Sequence, residues 1–164
     1  CSMPVTVVSG GSERQDSVHN ALDAVPRSAE LIAIHDAVRP FVKPRLISDA
    51  LDAAERHGAV TVMRPLKETV KTVRDGVVTG TPDRAFLWIT QTPQVFYADL
   101  IRNAHQRARE DGFNGTDDCM LVERLGHDVH IIEGNDLNIK ITTPADLVVA
   151  DAIRRQFESG EKQC

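Results

Sequence analysis

Aromatic side chains are scarce in this chain: Phe, Tyr and Trp make up 4 % of its 164 residues. Aliphatic side chains must therefore do most of the packing, and with 41 % hydrophobic residues they are numerous enough to build the core of one domain. An apolar run of the roughly 20 residues that a membrane span needs is missing, and no signal-peptide pattern opens the sequence. A cytoplasmic, non-membrane protein is expected. Cysteine is almost absent. Cys1, Cys119 and Cys164 form no CxxC pair, which speaks against a zinc site or a disulfide framework and for free thiols in a reducing compartment. His127 and His130 are the one close His pair, without Cys or carboxylate ligands beside them, so no metal site is expected there. Basic charge is in deficit: the formal net charge of −5 argues against a nucleic-acid surface, although Arg and Lys converging locally can still hold phosphates.

What is present is an alternation of strand and helix patterns. Val5-Thr6-Val7-Val8 reads as a strand stopped by Ser9-Gly10-Gly11, and Asp16 to Ala24 as the helix that follows. Leu31-Ile32-Ala33-Ile34 has the continuous apolar character of a strand buried on both faces. Pro44 to His57 carries Leu46, Ile47, Ala50, Leu51 and Ala54 at helical spacing, with Gly58 as a stop, and Ala59 to Met63 is again a strand. Between Lys67 and Arg84 the pattern switches to polar–apolar alternation around Arg74-Asp75-Gly76, which predicts a protruding hairpin. Arg84 to Gln94 reads as an apolar run followed by polar loop chemistry around Pro93. Ala98 to Asp111 is a helix, Thr116 is placed to cap another over Asp117 to Leu125, and Val129 to Ile132 is a last strand. Thr143-Pro144 opens a terminal helix from Ala145 to Phe157. Repeated βα units imply an α/β fold: a mostly parallel sheet with helices on both faces, in three layers, forming a single domain over 1–164 with a β-arm at about 67–84.

Ligands of such sheets bind beyond the carboxyl ends of the strands, which directs attention to Gly10-Gly11-Ser12 and to His35-Asp36-Ala37-Val38-Arg39. The glycines allow close approach to the backbone, and a helix N-terminus after them offers N–H groups to an anion; a tight turn with an ordinary cap explains the same residues. Asp36 and Arg39 put an acid and a base three residues apart into one cleft. Arg39 can fork onto a phosphate and Asp36 can accept from a sugar hydroxyl, or the two can simply brace their loop. Lys140, ahead of the Thr143 cap, is either a phosphate contact or a solvated loop lysine.

The segments GGSERQDSV, HDAVRPF, LWITQTPQVF, TDD and NIKITTPADL occur in the order and with about the spacing of the 2-C-methyl-D-erythritol 4-phosphate cytidylyltransferases, which the chain resembles from about Val5 to Ile153. That resemblance implies a Rossmann-like nucleotidyltransferase fold and a reaction of isoprene biosynthesis by the non-mevalonate route. CTP and the sugar-alcohol phosphate would give CDP-methylerythritol and pyrophosphate, with Mg²⁺ accompanying CTP. It further implies that Gly11, Ser12, Ser17, Asp36 and Ala37 line the cytidine and ribose pocket. Asp36, Arg39, Thr92 and Thr116 would lie on the sugar-phosphate side, and Lys140 would reach the reacting phosphates. Thr69 and Arg84, on the arm, would cross into the partner's site of a homodimer. Ser12 stands where many members carry an acid, and Glu68 replaces the Asp usual before the threonine of the arm.

The family's first strand and its Gly-rich loop have no counterpart before Val5, so these residues alone are expected to bind CTP poorly and to be inactive. Two alternatives accompany this reading. A ribitol-5-phosphate cytidylyltransferase shares the HDAVRP and QTPQ segments, and an inactive dimerising fragment would retain the arm.

Overall fold

The computed structural model describes residues 4–160, and Cys1 and Cys164 lie outside them. Its axis is a ten-residue strand, β5 (Trp88–Tyr97), flanked on one side by β1 (Leu31–Ile34) and on the other by β2 (Ala59–Pro65). Strand β6 (His130–Glu133) completes the sheet beyond β2, giving the order β1-β5-β2-β6. β1, β2 and β6 share one direction, as βα units require, while β5 runs opposite to both of its neighbours. The β2–β6 ladder is parallel, and the two ladders of β5 are antiparallel.

The sequence around Pro93 predicts loop where β5 runs, and a bulge explains why a strand tolerates it. Pairing moves from Thr61↔Gln94 to Met63↔Thr90, so β5 retreats four positions while β2 advances two. The two extra residues on β5 fall around Pro93, which cannot donate to a ladder and is placed where no ladder bond is required. The neighbouring polar residues Gln91, Thr92 and Gln94 are buried. Gln91 Nε2 donates to Asn135 O at 2.9 Å, and Thr92 and Gln94 find partners at the site described below, as burial demands.

Helices cover both faces. Alternation along the strands sends Val60, Val62 and Val95 towards Ala50, Ala53 and Ala54 of α2 (Pro44–His57). Ile32, Ala59 and Phe96 point the other way. They meet α1 (Arg14–Ala24), α3 (Ala98–Glu110) and α4 (Asp118–Arg124) through Leu22, Ile101, Leu121 and Val122. Small alanines on α2 and α3 let those helices approach the sheet closely, which suits a core so poor in aromatics. Cys119 is a free, buried thiol in this second layer, and burial pushes its pKa up, so it is a poor nucleophile. The chain closes with α5 (Pro144–Gly160), whose start is held reciprocally: Thr143 Oγ1 accepts from Asp146 N–H, and the Asp146 carboxylate accepts from Thr143 N–H at 2.8 Å.

The hairpin between the sheet strands consists of β3 (Thr72–Arg74) and β4 (Val77–Gly80). Asp75 and Gly76 both have positive φ, 51° and 78°, the backbone of a two-residue turn that matches strand twist. Val73, Val77 and Val78 are exposed on it. Two sequence expectations are corrected. Val5 to Val8 forms no strand: no partner strand lies beside it among the described residues, and Val5 and Val7 are exposed. The cap of α4 is Asp117, whose carboxylate accepts from Met120 N–H at 2.9 Å, rather than Thr116. Among the described residues no helix is long and apolar enough to cross a membrane.

Candidate active site

At the carboxyl end of β1 the chain turns through His35 to Arg39 beside the buried part of β5. A polar cleft of about 210 Å³ opens there, with Arg14, Asp36, Arg39, Thr92, Thr116 and Lys140 in its walls. Asp36 is its centre. Oδ2 lies 3.3 Å from Arg39 Nε and 3.2 Å from Lys140 Nζ, and Oδ1 lies 3.4 Å from Arg14 Nε. Burial pushes the Asp36 pKa up, but Lys140, Arg14 and Arg39 together outweigh it and hold the carboxyl below the ordinary range.

A depressed folded-state pKa has a defined consequence. Ionised Asp36 stabilises the fold fully above the ordinary carboxylate pKa of about 4, and that contribution is lost as pH falls through the lower folded value. The melting temperature of the wild type should therefore drop more steeply below about pH 4 than that of an Asp36→Asn variant. Parallel acid profiles would show that the ion cluster adds nothing to stability.

Arg39 is held more tightly than a free ligand-binding arginine. Its side chain is 10 % exposed, Nη1 donates to Asn138 O at 2.9 Å, and Nη2 lies 3.5 Å from Thr90 O. Of the readings open at the sequence level, bracing is fulfilled by this geometry, while Arg39 still lines the cleft. Thr92 braces the same loop: its hydroxyl accepts from Asp36 N–H at 3.0 Å and lies 2.8 Å from His35 Nδ1. The hydroxyl proton then goes to Nδ1, which leaves Nε2–H to donate to Arg39 O at 3.2 Å. Lys140 sits on a fixed backbone, between buried Asn138, which donates to Thr92 O, and Ile141, whose N–H donates to Val38 O. Its side chain is 41 % exposed, the most accessible of the three cations.

The opposite wall is supplied by Thr116 and Asp117 ahead of α4. Gln94 reaches across from β5: Nε2 donates to Asp117 Oδ2 at 2.8 Å and to Thr61 Oγ1 at 3.2 Å, and Oε1 accepts from Asp118 N–H. Thr116 is exposed, with its hydroxyl over Met120 Sδ. Sequence reasoning missed Arg14, Gln94 and the partners of the second Asp in TDD. The signal was present in the run of two acids, but their partners come from α1, α3 and β5.

The glycine turn carries the local hydrogen bonds of a capped turn. Gly11 N–H donates to Ser17 Oγ at 3.0 Å, and Asp16 accepts from Glu13 N–H and from Ser12 Oγ, the latter at 2.6 Å. The N–H groups of Gly11 and of Glu13, the N-cap of α1, are thus met by side chains from the first turn of that helix. A methyl on Gly11 would come within 2.1 Å of Asp16 Cβ, so the position requires glycine. Ser17 and Asp36 share a largely apolar cavity of about 360 Å³ between α1 and β1. Gly11 and Asp16 border another, of about 480 Å³, against α3, and Ala37 is exposed in the loop after β1. Thr69 and Arg84 do not line the polar cleft of their own chain; Arg84 Nη1 donates to Lys67 O at 2.9 Å at the base of the arm. Lys67 and Arg64 in turn pair with Asp136, which ties that base to the loop after β6.

Sequence and fold relatives agree with this architecture. Residues 1–156 match the family described as 2-C-methyl-D-erythritol 4-phosphate cytidylyltransferase. The enzyme of that name from Caldanaerobacter subterraneus subsp. tengcongensis is 49 % identical over 154 residues, covering 93 % of this chain and 68 % of its own length. Its counterpart from Geotalea uraniireducens is 47 % identical over 155 residues, covering 93 % and 66 %. The chain therefore spans about two thirds of the length of these curated relatives. The crystal structure of the Thermus thermophilus enzyme superposes with a TM-score of 0.83 at 38 % identity, over 90 % of this chain and 72 % of that one. With the family's segments matched in sequence and the same fold holding Asp36, Arg39 and Lys140 around one cleft, the chain belongs to the 2-C-methyl-D-erythritol 4-phosphate cytidylyltransferase family.

Proposed function

We propose that the protein joins CTP to 2-C-methyl-D-erythritol 4-phosphate, forming CDP-methylerythritol and pyrophosphate in the non-mevalonate route to isoprenoids. The observation that carries this reading is the gathering of Arg14, Arg39 and Lys140 around the single carboxylate of Asp36 at the mouth of β1. A phosphate oxygen of the sugar phosphate attacks the α-phosphorus of CTP. The new P–O bond forms as the bond to the bridging oxygen breaks, and pyrophosphate leaves with that electron pair. The nucleophile is already anionic, so no strong general base is required, and catalysis rests on positioning and on neutralising charge.

In this scheme Lys140 moves from Asp36 onto phosphate oxygens as charge develops. Arg39 and Thr92 keep the loop in shape, and Thr116 and Asp117 form the far wall. Gly11, Ser12, Ser17, Asp36 and Ala37 border the nucleoside. Among the described residues no three His, Cys, Asp or Glu side chains gather to hold a metal, and Asp36 is already ringed by cations. In this scheme Mg²⁺ accompanies CTP as part of the substrate.

The active unit is a cytoplasmic homodimer. An isolated hairpin is marginally stable and exposes strand edges, and this one presents Val73, Val77 and Val78 to solvent. A second copy covers both, and carries Thr69 and Arg84 to the cleft that its own chain does not offer them. The test supplies the intact protein with CTP and either methylerythritol 4-phosphate or ribitol 5-phosphate, with the product identified by mass. The expected result is CDP-methylerythritol at the higher kcat/KM; preference for ribitol 5-phosphate would reassign the substrate.

A further inference from the structure

We infer that Arg14 is a positioning residue: it clamps Asp36 to the buried Asp118, so that Lys140 is free to leave Asp36 for an incoming phosphate. The inference rests on the cytidylyl-transfer reading only for the identity of that phosphate. One guanidinium spans two carboxylates, with Nε 3.4 Å from Asp36 Oδ1 and Nη1 2.8 Å from Asp118 Oδ2. The second contact is an ion pair, not aligned as a hydrogen bond.

Asp118 is a fixed anchor. Its side chain is 1 % exposed, His105 Nε2 lies 2.9 Å from its Oδ1, and its N–H is held by Gln94. His105 is equally buried. The far end of the clamp is therefore set in the core layer between α3 and α4, where a shift would disturb packing.

The cations divide the oxygens of Asp36 unequally. Arg14 alone takes Oδ1, while Arg39 and Lys140 share Oδ2. Arg39 is also bonded to the Asn138 carbonyl and nearly buried, so it cannot follow a ligand. The Lys140 ammonium pairs with Asp36, and its side chain is the most exposed of the three. It is the cation able to move, provided the others keep Asp36 neutralised and in place. Remove the clamp and two losses follow: Asp36 holds Lys140 more firmly, and the carboxylate is no longer registered against the core.

Two substitutions separate this role from a general charge effect. Arg14→Lys keeps the charge but cannot fork between two carboxylates. Asp118→Asn removes a negative charge from behind the site, which by Coulomb attraction alone would tighten anion binding. Binding of pyrophosphate, with Mg²⁺ present, is measured by calorimetry on the folded proteins, together with kcat and KM. Both variants are expected to bind pyrophosphate about fivefold more weakly, on the scale by which a residue acting through its neighbours modulates affinity, with kcat reduced as well. Should Asp118→Asn fail to fold, Arg14→Lys decides the matter. Arg14→Lys with wild-type affinity, tighter binding by Asp118→Asn, or no pyrophosphate binding by the wild type would each overturn the clamp. A wild type that binds pyrophosphate yet makes no CDP-methylerythritol would instead overturn the proposed reaction, while the affinities of the variants still judge Arg14.

Discussion

Lys140→Ala should lower kcat by at least about a hundredfold while moving the melting temperature little. Its ammonium is the exposed member of the cluster and adds no packing, so its removal leaves the fold's cores intact. Asp36 keeps Arg14 and Arg39 as partners, so no buried charge is orphaned. On the proposed reaction, what is lost is a cation placed where negative charge builds as pyrophosphate departs, and a missing donor of that kind costs roughly 3 kcal/mol of transition-state stabilisation. Steady-state kinetics beside a thermal melt provide the check. A variant that keeps its turnover would remove Lys140 from the chemistry, and one that simply unfolds would make it a structural residue.

The second large effect is a recovery of activity. Subunits carrying Arg84→Ala and subunits carrying Lys140→Ala should each be nearly inactive alone, yet regain turnover when mixed and allowed to exchange. If Arg84 acts on the partner's cleft, each heterodimer has one site with both defects and one with neither. Random exchange of equal amounts makes half the dimers mixed, so about a quarter of all sites are intact. If Arg84 acts within its own chain, every site keeps a defect and activity stays lost. The arm geometry motivates the first outcome: Arg84 sits at the base of an exposed hairpin and lines no part of its own chain's polar cleft. Exchange is verified independently by mass-tagged subunits.

Much of this architecture was legible because aliphatic periodicity is a local signal. The spacing of Leu46, Ala50 and Ala54 marked α2, and the unbroken apolar run marked β1 as a strand, but not as one buried on both faces: it lies at the sheet edge, with Ile32 buried and Ala33 exposed. The Asp-Gly turn marked the hairpin. β5 was not legible. Pro93 and three polar residues resemble a loop, and only a long-range pairing with a bulge, plus partners from Asp117, Asn135 and Thr61, makes them a central strand. Val5 to Val8 failed in the opposite sense, since a β-branched run is a strand only where another strand lies beside it. At the site, Asp36, Arg39, Thr92, Thr116 and Lys140 were all singled out from the sequence and share the cleft. Arg14 was passed over because the sequence placed it in the turn before a helix expected from Asp16, whereas α1 begins at Arg14 itself. Its two carboxylate partners come from distant segments that nothing in the local pattern announces.

The central claim is that this cleft directs attack on the α-phosphorus of CTP, and the fate of a labelled phosphorus tests it most directly. The intact protein is given CTP labelled at the α-phosphorus, together with methylerythritol 4-phosphate, and the products are separated. The account predicts that the label appears in CDP-methylerythritol, one equivalent per equivalent of unlabelled pyrophosphate released. Label left in CTP, or found in free nucleotide without transfer to the sugar phosphate, would contradict it.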